Sequence, residues 1–333
     1  MLRIVFTGDD VARTRIAAGA DPLWELVLAL HMLLPQRGDL LFADWRRQVL
    51  RTLRGARLGR MLPLLLQLNP NVGYFPDFFT PPESGNGLES GLEAIRATPR
   101  TRLRHDILRL ASSRQLPPAT RTLADGDPEL LTELTEALRT CYRLLVAPYR
   151  RGIDTALDRE RSLRMHALAA GGVERLFGSL GPWASWYDGE LRIPSHRDQR
   201  LLLDGRGLVL VPAYFCVGGP ITLYDPQQPP VLVYPASRQP DVLPGQDPAA
   251  RGGLRALVGT TRAAVLEAIG SRPVTTSALA RRVGISAASA SEHATVLRRA
   301  GLLVSQRDGN RMLHHLTSLG HAFLAAPGEP TGT

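Results

Sequence analysis

The sequence predicts a mainly α chain with a small β unit, ending in a compact helical module with a hairpin. Three observations predict it. Apolar residues recur at helical spacing, punctuated by Asp-Pro and Gly, through most of residues 1–182. Near Trp183 this gives way to short β-like runs bounded by turns, up to residue 235. After a polar Pro/Gly stretch, two helical patterns meet at Gly284 and two alternating runs flank Asp308-Gly309-Asn310. The expected divisions are a helical part over 1–182, a small β unit packed on it over 183–235, a linker over 236–253, the C-terminal module over 254–326 and a disordered tail over 327–333. A length of 333 residues agrees with two or three units.

Along the first part, residues 2–6 (LRIVF) read as a short strand or an extended entry, and Asp9 or Asp10 as a cap for the next segment. Asp21-Pro22 opens a helix with Asp as N-cap and Pro at its first position. Leu23, Leu26, Val27, Leu30 and Leu34 carry it, and Pro35 and Gly38 stop it. Trp24 and His31 read as packing residues rather than ligands. Phe42–Leu58 is a helix with an Arg-rich polar face, and Leu62–Leu68 another that ends at Asn69-Pro70. The aromatic, proline-rich stretch 74–82 cannot be a regular helix. It suits a plug at the end of a helical bundle better than a pocket lining.

Helices are expected over 85–98 and 100–112, a loop over 113–127, and a long helix from Asp127-Pro128. A further one runs over 148–177 with a break at Gly171-Gly172. In the β part, Asp188-Gly189 signals a hairpin. About five strands make up this part, and their prolines suggest edges and breaks rather than a deep sheet.

Composition narrows the classes of function. The formal net charge is +9, from 40 basic against 31 acidic side chains, and the pI is about 10.4. A polyanionic partner suits that balance. All 40 basic residues are Arg, which a GC-rich coding bias explains alongside the abundance of Ala, Gly, Pro and Leu. Cys141 and Cys216 lie far apart, without CxxC or Cys/His spacing, so neither a disulfide framework nor a metal site is expected. No cofactor is implied. The N-terminus lacks the apolar core of a signal peptide. The longest apolar run, Leu23–Leu34, is interrupted by Glu25 and His31 and is too short and polar to span a bilayer. The expectation is a cytoplasmic protein with no membrane partner.

The C-terminal module carries the functional signal. Its first helix is expected from about Leu254 to Ile269, stopped by Gly270 and Pro273. Thr275 or Thr276 caps the second, Gly284 makes the turn, and Ser286 caps the third, which ends at Ala300-Gly301. At 100° per residue, Ala290, His293, Ala294, Leu297 and Ala300 face inward. Ala288, Ser291, Glu292, Thr295 and Arg299 face outward, joined at the N-terminal end by Ser286 and Ala287. Such a helix can enter a DNA major groove, where Ser and Thr reach base edges or phosphates and Ala or Thr methyls meet thymine methyls. Glu292 could accept from cytosine N4 or hold an Arg in position. Arg281, Arg282, Arg298, Arg307 and Arg311 suit phosphates. Asn310 lies at the hairpin tip between Arg307 and Arg311, a wing suited to backbone or minor-groove contact. From Leu254 onward nine Arg face four acids.

These residues resemble the ArsR-type winged helix-turn-helix regulators. The resemblance rests on LARRVGIS (279–286), ASEH (290–293), LRRAGLL (297–303) and RDGN (307–310), within some seventy residues. It implies a homodimer on an inverted-repeat operator in double-stranded DNA, acting as a repressor until an inducer binds. It also implies that Ser291 and His293 lie on the reading helix. The family's metal sensors carry a cysteine motif on the second helix. Here that helix has Ala280, Arg281 and Arg282, so a metal sensor is not expected. The preceding part resembles long helical extensions of actinobacterial-type regulators, and a small-molecule inducer or a protein partner could act there. No GxSxG, HExxH, Walker A or dinucleotide fingerprint is present in its required context, and no enzyme is expected. The alternatives are a protein-interaction adaptor with a DNA-binding module, and an enzyme fused to one.

Overall fold

A computed structural model describes residues 1–33, 42–56, 58–181, 183–194, 196, 198–217, 219–223, 230–237, 242–243, 258–270, 273–308 and 311–325. The chain forms two compact units. One holds Met1–Leu34 and Val49–Ser237, the other Pro35–Gln48 and Arg238–Thr333. The helical part and the small β unit share one unit. The expected stop at Pro35 and Gly38, most of the 236–253 linker and the 327–333 tail lie outside the described residues.

In the first unit, strand β1 (Leu2–Val5) leads into helix α1 (Gly8–Arg13) and strand β2 (Arg15–Ile16). The cap of α1 is Thr7, not an Asp. Its hydroxyl accepts from the Asp10 N–H at 3.3 Å, while the Asp10 carboxylate accepts from the Thr7 N–H at 2.8 Å. Helix α2 (Pro22–Leu33) starts as its Asp-Pro predicts, the Asp21 carboxylate accepting from the Leu23 and Trp24 N–H groups. It is buried on every side, the mark of a core helix. His31 pairs with Asn69 at 2.8 Å, and Phe75 meets both Trp24 and His31 edge-on. The aromatic stretch thus packs into the helices, with Phe78 and Phe79 buried beside Phe75.

Helices α3 (Ala43–Gly55), α4 (Met61–Leu68), α5 (Leu88–Arg96) and α6 (Arg100–Ala111) come next. The expected 113–127 loop contains helix α7 (Ala119–Ala124), a single short turn-pair after Pro117-Pro118 that buries Thr120 and Leu123. Helix α8 (Pro128–Leu145) is capped by Asp127, and α9 (Arg150–Gly178) breaks at Gly171-Gly172, where φ is −172° and 63°.

The β strands do not form a separate layer. Strands β3 (Ser185–Tyr187), β4 (Glu190–Ile193) and β5 (Gln199–Leu202) build a four-stranded sheet in the order β3-β4-β1-β5. Strand β1 is interior, antiparallel to β4 and parallel to β5. Strands β6 (Val209–Ala213), β7 (Ile221–Thr222) and β8 (Val231–Pro235) join β2 in the order β2-β6-β8-β7. Strand β6 is interior despite Pro212. The two-residue β2 pairs only with Val209 and Leu210, so the proline's missing N–H costs no bond on that side. Both sheets and the end of α9 share one core, with Leu2, Ile4, Phe177, Leu191, Leu210 and Leu232 fully buried. The buried Glu25 carboxylate ties α2 to the end of β6, accepting from the Tyr214 and Phe215 N–H groups at 2.7 and 3.1 Å.

The second unit holds helix α10 (Thr260–Ile269), strand β9 (Val274–Thr275), helices α11 (Thr276–Val283) and α12 (Ala287–Arg299), strands β10 (Leu303–Asp308) and β11 (Arg311–Leu316), and helix α13 (Ser318–Ala325). Its core includes Val265, Leu266, Ile269, Leu279, Ala290, Ala294, Leu297 and Leu303. The β10–β11 hairpin gains a third strand, β9, which the sequence did not signal. Helix, turn, helix and hairpin in this order make a winged helix-turn-helix.

Candidate nucleic-acid interface

The turn is built by backbone conformation that few residues supply. Gly284 has φ 73° and ψ 33°, a left-handed geometry that suits glycine. Its N–H and that of Ile285 both donate to the Ala280 carbonyl, at 2.9 and 3.0 Å. Thr275 caps α11 through the Ala278 N–H, and Ser286 caps α12 through the Ser289 N–H at 3.0 Å. Together these fix the angle between the two helices. The far end of α12 closes through Gly301 (φ 73°), whose N–H donates to Arg298, and Leu302, whose N–H donates to Leu297.

Burial along α12 settles its faces. Ala290, Ala294 and Leu297 are the inward residues. Ser286, Ala287, Ala288, Ser291, Glu292, Arg298 and Arg299 are exposed, and Thr295 is half-buried on the same side. His293 is half-buried at the edge of the face. Ala300, expected inward, is exposed; it is the C-cap, one residue beyond the end of the helix. Val296 is absent from the expected outward face, yet it is 37% exposed there. It stands one turn beyond Glu292, a spacing the helical wheel already contained. Among the described residues, no Arg lies within ion-pair distance of Glu292, so its carboxylate is not tied to Arg299.

The wing is equally specific. Arg307 is exposed on β10 opposite Met312, and Arg311 pairs in register with Asp308. Asn310 and the tip lie outside the described residues, and so does the placement of the Arg311 side chain. Arg281 is exposed on α11. Arg282, expected on a phosphate, donates to the Ala268 carbonyl at 3.0 Å and so ties α11 to the end of α10.

The residue that joins wing to helices is one the sequence did not single out. His314 is buried in β11, with Nε2 2.9 Å from the Thr276 hydroxyl and Nδ1 2.9 Å from the Ser305 hydroxyl. Burial, then the nearby charge of Arg298 and of His315, push its pKa below the usual 6.5. Its only sequence signal is a polar residue at an inward position of an alternating strand. Helix α13 is set against the start of β10 by Thr317. Its N–H donates to the Leu302 carbonyl and its hydroxyl to the Gly301 carbonyl, while it caps the helix through the Gly320 N–H.

The face is thus a convex helix of short side chains with Arg at its C-terminal end, beside an Arg-bearing hairpin. This arrangement presents donors and methyls to base edges and guanidinium groups to phosphates. Among the described residues no group of three or more His, Cys, Asp or Glu is placed to hold a metal ion, and no helix is long and apolar enough to cross a membrane.

Residues 260–306 match the family model of a helix-turn-helix domain. No curated protein and no solved structure matches the chain. The C-terminal unit is a helix-turn-helix domain of the winged, DNA-binding class.

Proposed function

We propose that the chain is an ArsR-type transcriptional repressor. It acts as a homodimer on an inverted-repeat operator and is controlled by a ligand or partner at the unit formed by residues 1–34 and 49–237. The observation that carries the reading is the exposed face of α12, lined by Ala288, Ser291, Glu292 and Arg299 and backed by the buried Ala290, Ala294 and Leu297. A helix capped at Ser286 presents its first two turns to the major groove, where Ser291 and Glu292 meet base edges. Arg298 and Arg307 hold the phosphates on either side. Two such helices in a dimer read half-sites about 34 Å apart. A signal at the first unit alters their spacing and so the affinity. The chain itself carries out no catalytic step.

The test is a mobility shift with duplexes tiled across the region upstream of its own gene, paired with sedimentation of the free protein. Saturable, sequence-dependent binding by a dimer is expected, and a reporter behind the bound duplex should be silenced. A chain that stays monomeric and retards no duplex at low salt refutes the reading.

A further inference from the structure

The positive charge of the chain is concentrated in two places. One is the C-terminal module, where nine Arg face four acids from Leu254 onward. The other runs from Arg96 to Arg121 and holds seven Arg and one acid, Asp106. The rest of the chain is slightly acidic, so a general coding bias toward Arg does not place this second cluster. Asp106 is buried, and its carboxylate accepts from the Tyr74 hydroxyl at 2.9 Å and the Phe78 N–H at 3.0 Å. Its charge is thus committed to the interior.

Helices α6 and α7 carry the cluster, both within the first unit. Leu103, Ile107 and Leu110 hold α6 to the core, and Thr120 and Leu123 hold α7. Arg100, Arg104 and Leu108 follow at one-turn spacing on the exposed side of α6. Arg100 and Arg104 both reach the carboxylate of Asp125, the C-cap of α7, at 2.6 and 3.8 Å. The end of α7 therefore lies beside the start of α6, and the two helices run antiparallel. Arg121 is exposed one turn before Asp125, on the Leu108 side of it. From Arg100 to Asp125 one exposed acid, Asp125 itself, accompanies four exposed Arg. Among the described residues, Arg121 has no acid within ion-pair distance. Leu108 is 69% exposed in the middle of this surface.

Guanidinium groups around a projecting leucine discriminate between anionic partners. The backbone of a duplex offers phosphates and sugars, which give a leucine no apolar contact. A lipid surface takes up the apolar face of a helix, and that face of α6 is already buried in the core. A protein segment supplies carboxylates and an apolar side chain together, and Arg is enriched around such anchors. We propose that the α6–α7 surface docks an acidic segment of a protein partner, whose apolar side chain packs on Leu108 while flanking carboxylates pair with Arg104 and Arg121. This names the kind of partner that acts on the first unit, and it rests on the proposed control of that unit for its regulatory consequence alone.

The experiment uses the full chain and three helical peptides in which Leu recurs every fourth residue among Glu, Gln or Lys. The Glu peptide should bind the wild type about tenfold or more tighter than the Gln peptide. Leu108→Gln should weaken it about tenfold. Arg104→Glu/Arg121→Glu, with its circular dichroism unchanged, should lose the Glu peptide and prefer the Lys peptide. Glu-peptide binding that none of these substitutions alters belongs to the C-terminal module and overturns the proposal. So does a wild type that leaves the Glu peptide unbound but takes poly(dT) or phosphatidylserine vesicles, with that binding lost in the same variants. Duplex affinity with and without bound Glu peptide tests the control separately. An unchanged affinity refutes control through this surface and leaves the docking standing.

Discussion

The Thr276 hydroxyl at the start of α11 lies 2.9 Å from Nε2 of His314 in the wing strand β11. The other ring nitrogen meets Ser305 in β10, so one imidazole links helix and hairpin. His314→Phe keeps the ring's bulk and removes both hydrogen bonds. It should cost the C-terminal unit about 1–3 kcal/mol, because two part-buried hydroxyls lose their partner. Thermal unfolding measures this, and an unchanged midpoint refutes the linking role.

The contact of α13 with β10 leaves no room for a side chain at Gly320. A methyl group there would overlap the Leu302 carbonyl oxygen, which is backbone and cannot swing away. Gly320→Ala should therefore destabilise the unit by about 3 kcal/mol or more, although alanine favours helix. A variant as stable as the wild type in urea would show that α13 docks differently.

Acid should loosen the first unit through His31. Burial, opposed by the Asn69 hydrogen bond, holds its imidazole down to about 4 from the usual 6.5. The unfolded chain then takes up a proton at a higher pH than the folded one. The stability from this group is complete above about pH 6.5, drains away as pH falls toward 4, and changes no further below that. Between pH 7 and 4.5 the wild type should lose roughly 2–3 kcal/mol more than His31→Gln. Parallel urea curves for the two proteins would contradict it.

Glu25 is a buried carboxylate facing two backbone N–H groups, those of Tyr214 and Phe215. Glu25→Gln turns a donor toward at least one of them. The expected loss is about 2 kcal/mol in the first unit, visible as a lowered midpoint with DNA affinity little altered.

On the DNA side, Arg298→Gln and Arg307→Gln should each reduce the salt slope by about one and weaken all sequences equally. Ser291→Ala or Glu292→Gln should instead change the preference at one operator position by about 1–3 kcal/mol. Competition binding over single-base operator variants distinguishes the two behaviours. A uniform loss from all four substitutions would remove α12 from the groove.

Local chemistry made the C-terminal unit legible in the sequence. Gly284, Ser286 and the Ala290/Ala294/Leu297 spacing each act within a few residues, so the turn, the cap and the reading face could be placed without partners. What escaped depends on distant pairing. Residues 2–6 carry no mark that they will sit between strands from 190–193 and 199–202. The two-residue β9 is too short for a periodic pattern. His314 is polar in a strand, and only its position against Thr276 and Ser305 gives it a role. Pro212 suggested an edge, and the shortness of β2 removed the penalty that would have enforced one. The Phe42–Leu58 helix was visible as amphipathic, but nothing local assigns its first turns to the C-terminal unit.

The interior place of β1 bears on how the protein is made. Its partners come nearly two hundred residues later in the chain. At translation rates of about 5–20 residues per second, β1 waits on the order of ten to forty seconds before either neighbour leaves the ribosome. During that interval Leu2 and Ile4 and both strand edges lack their final cover. Refolding from denaturant escapes this delay but still pays the closure of a very long loop, which makes folding of the first unit slow for its size.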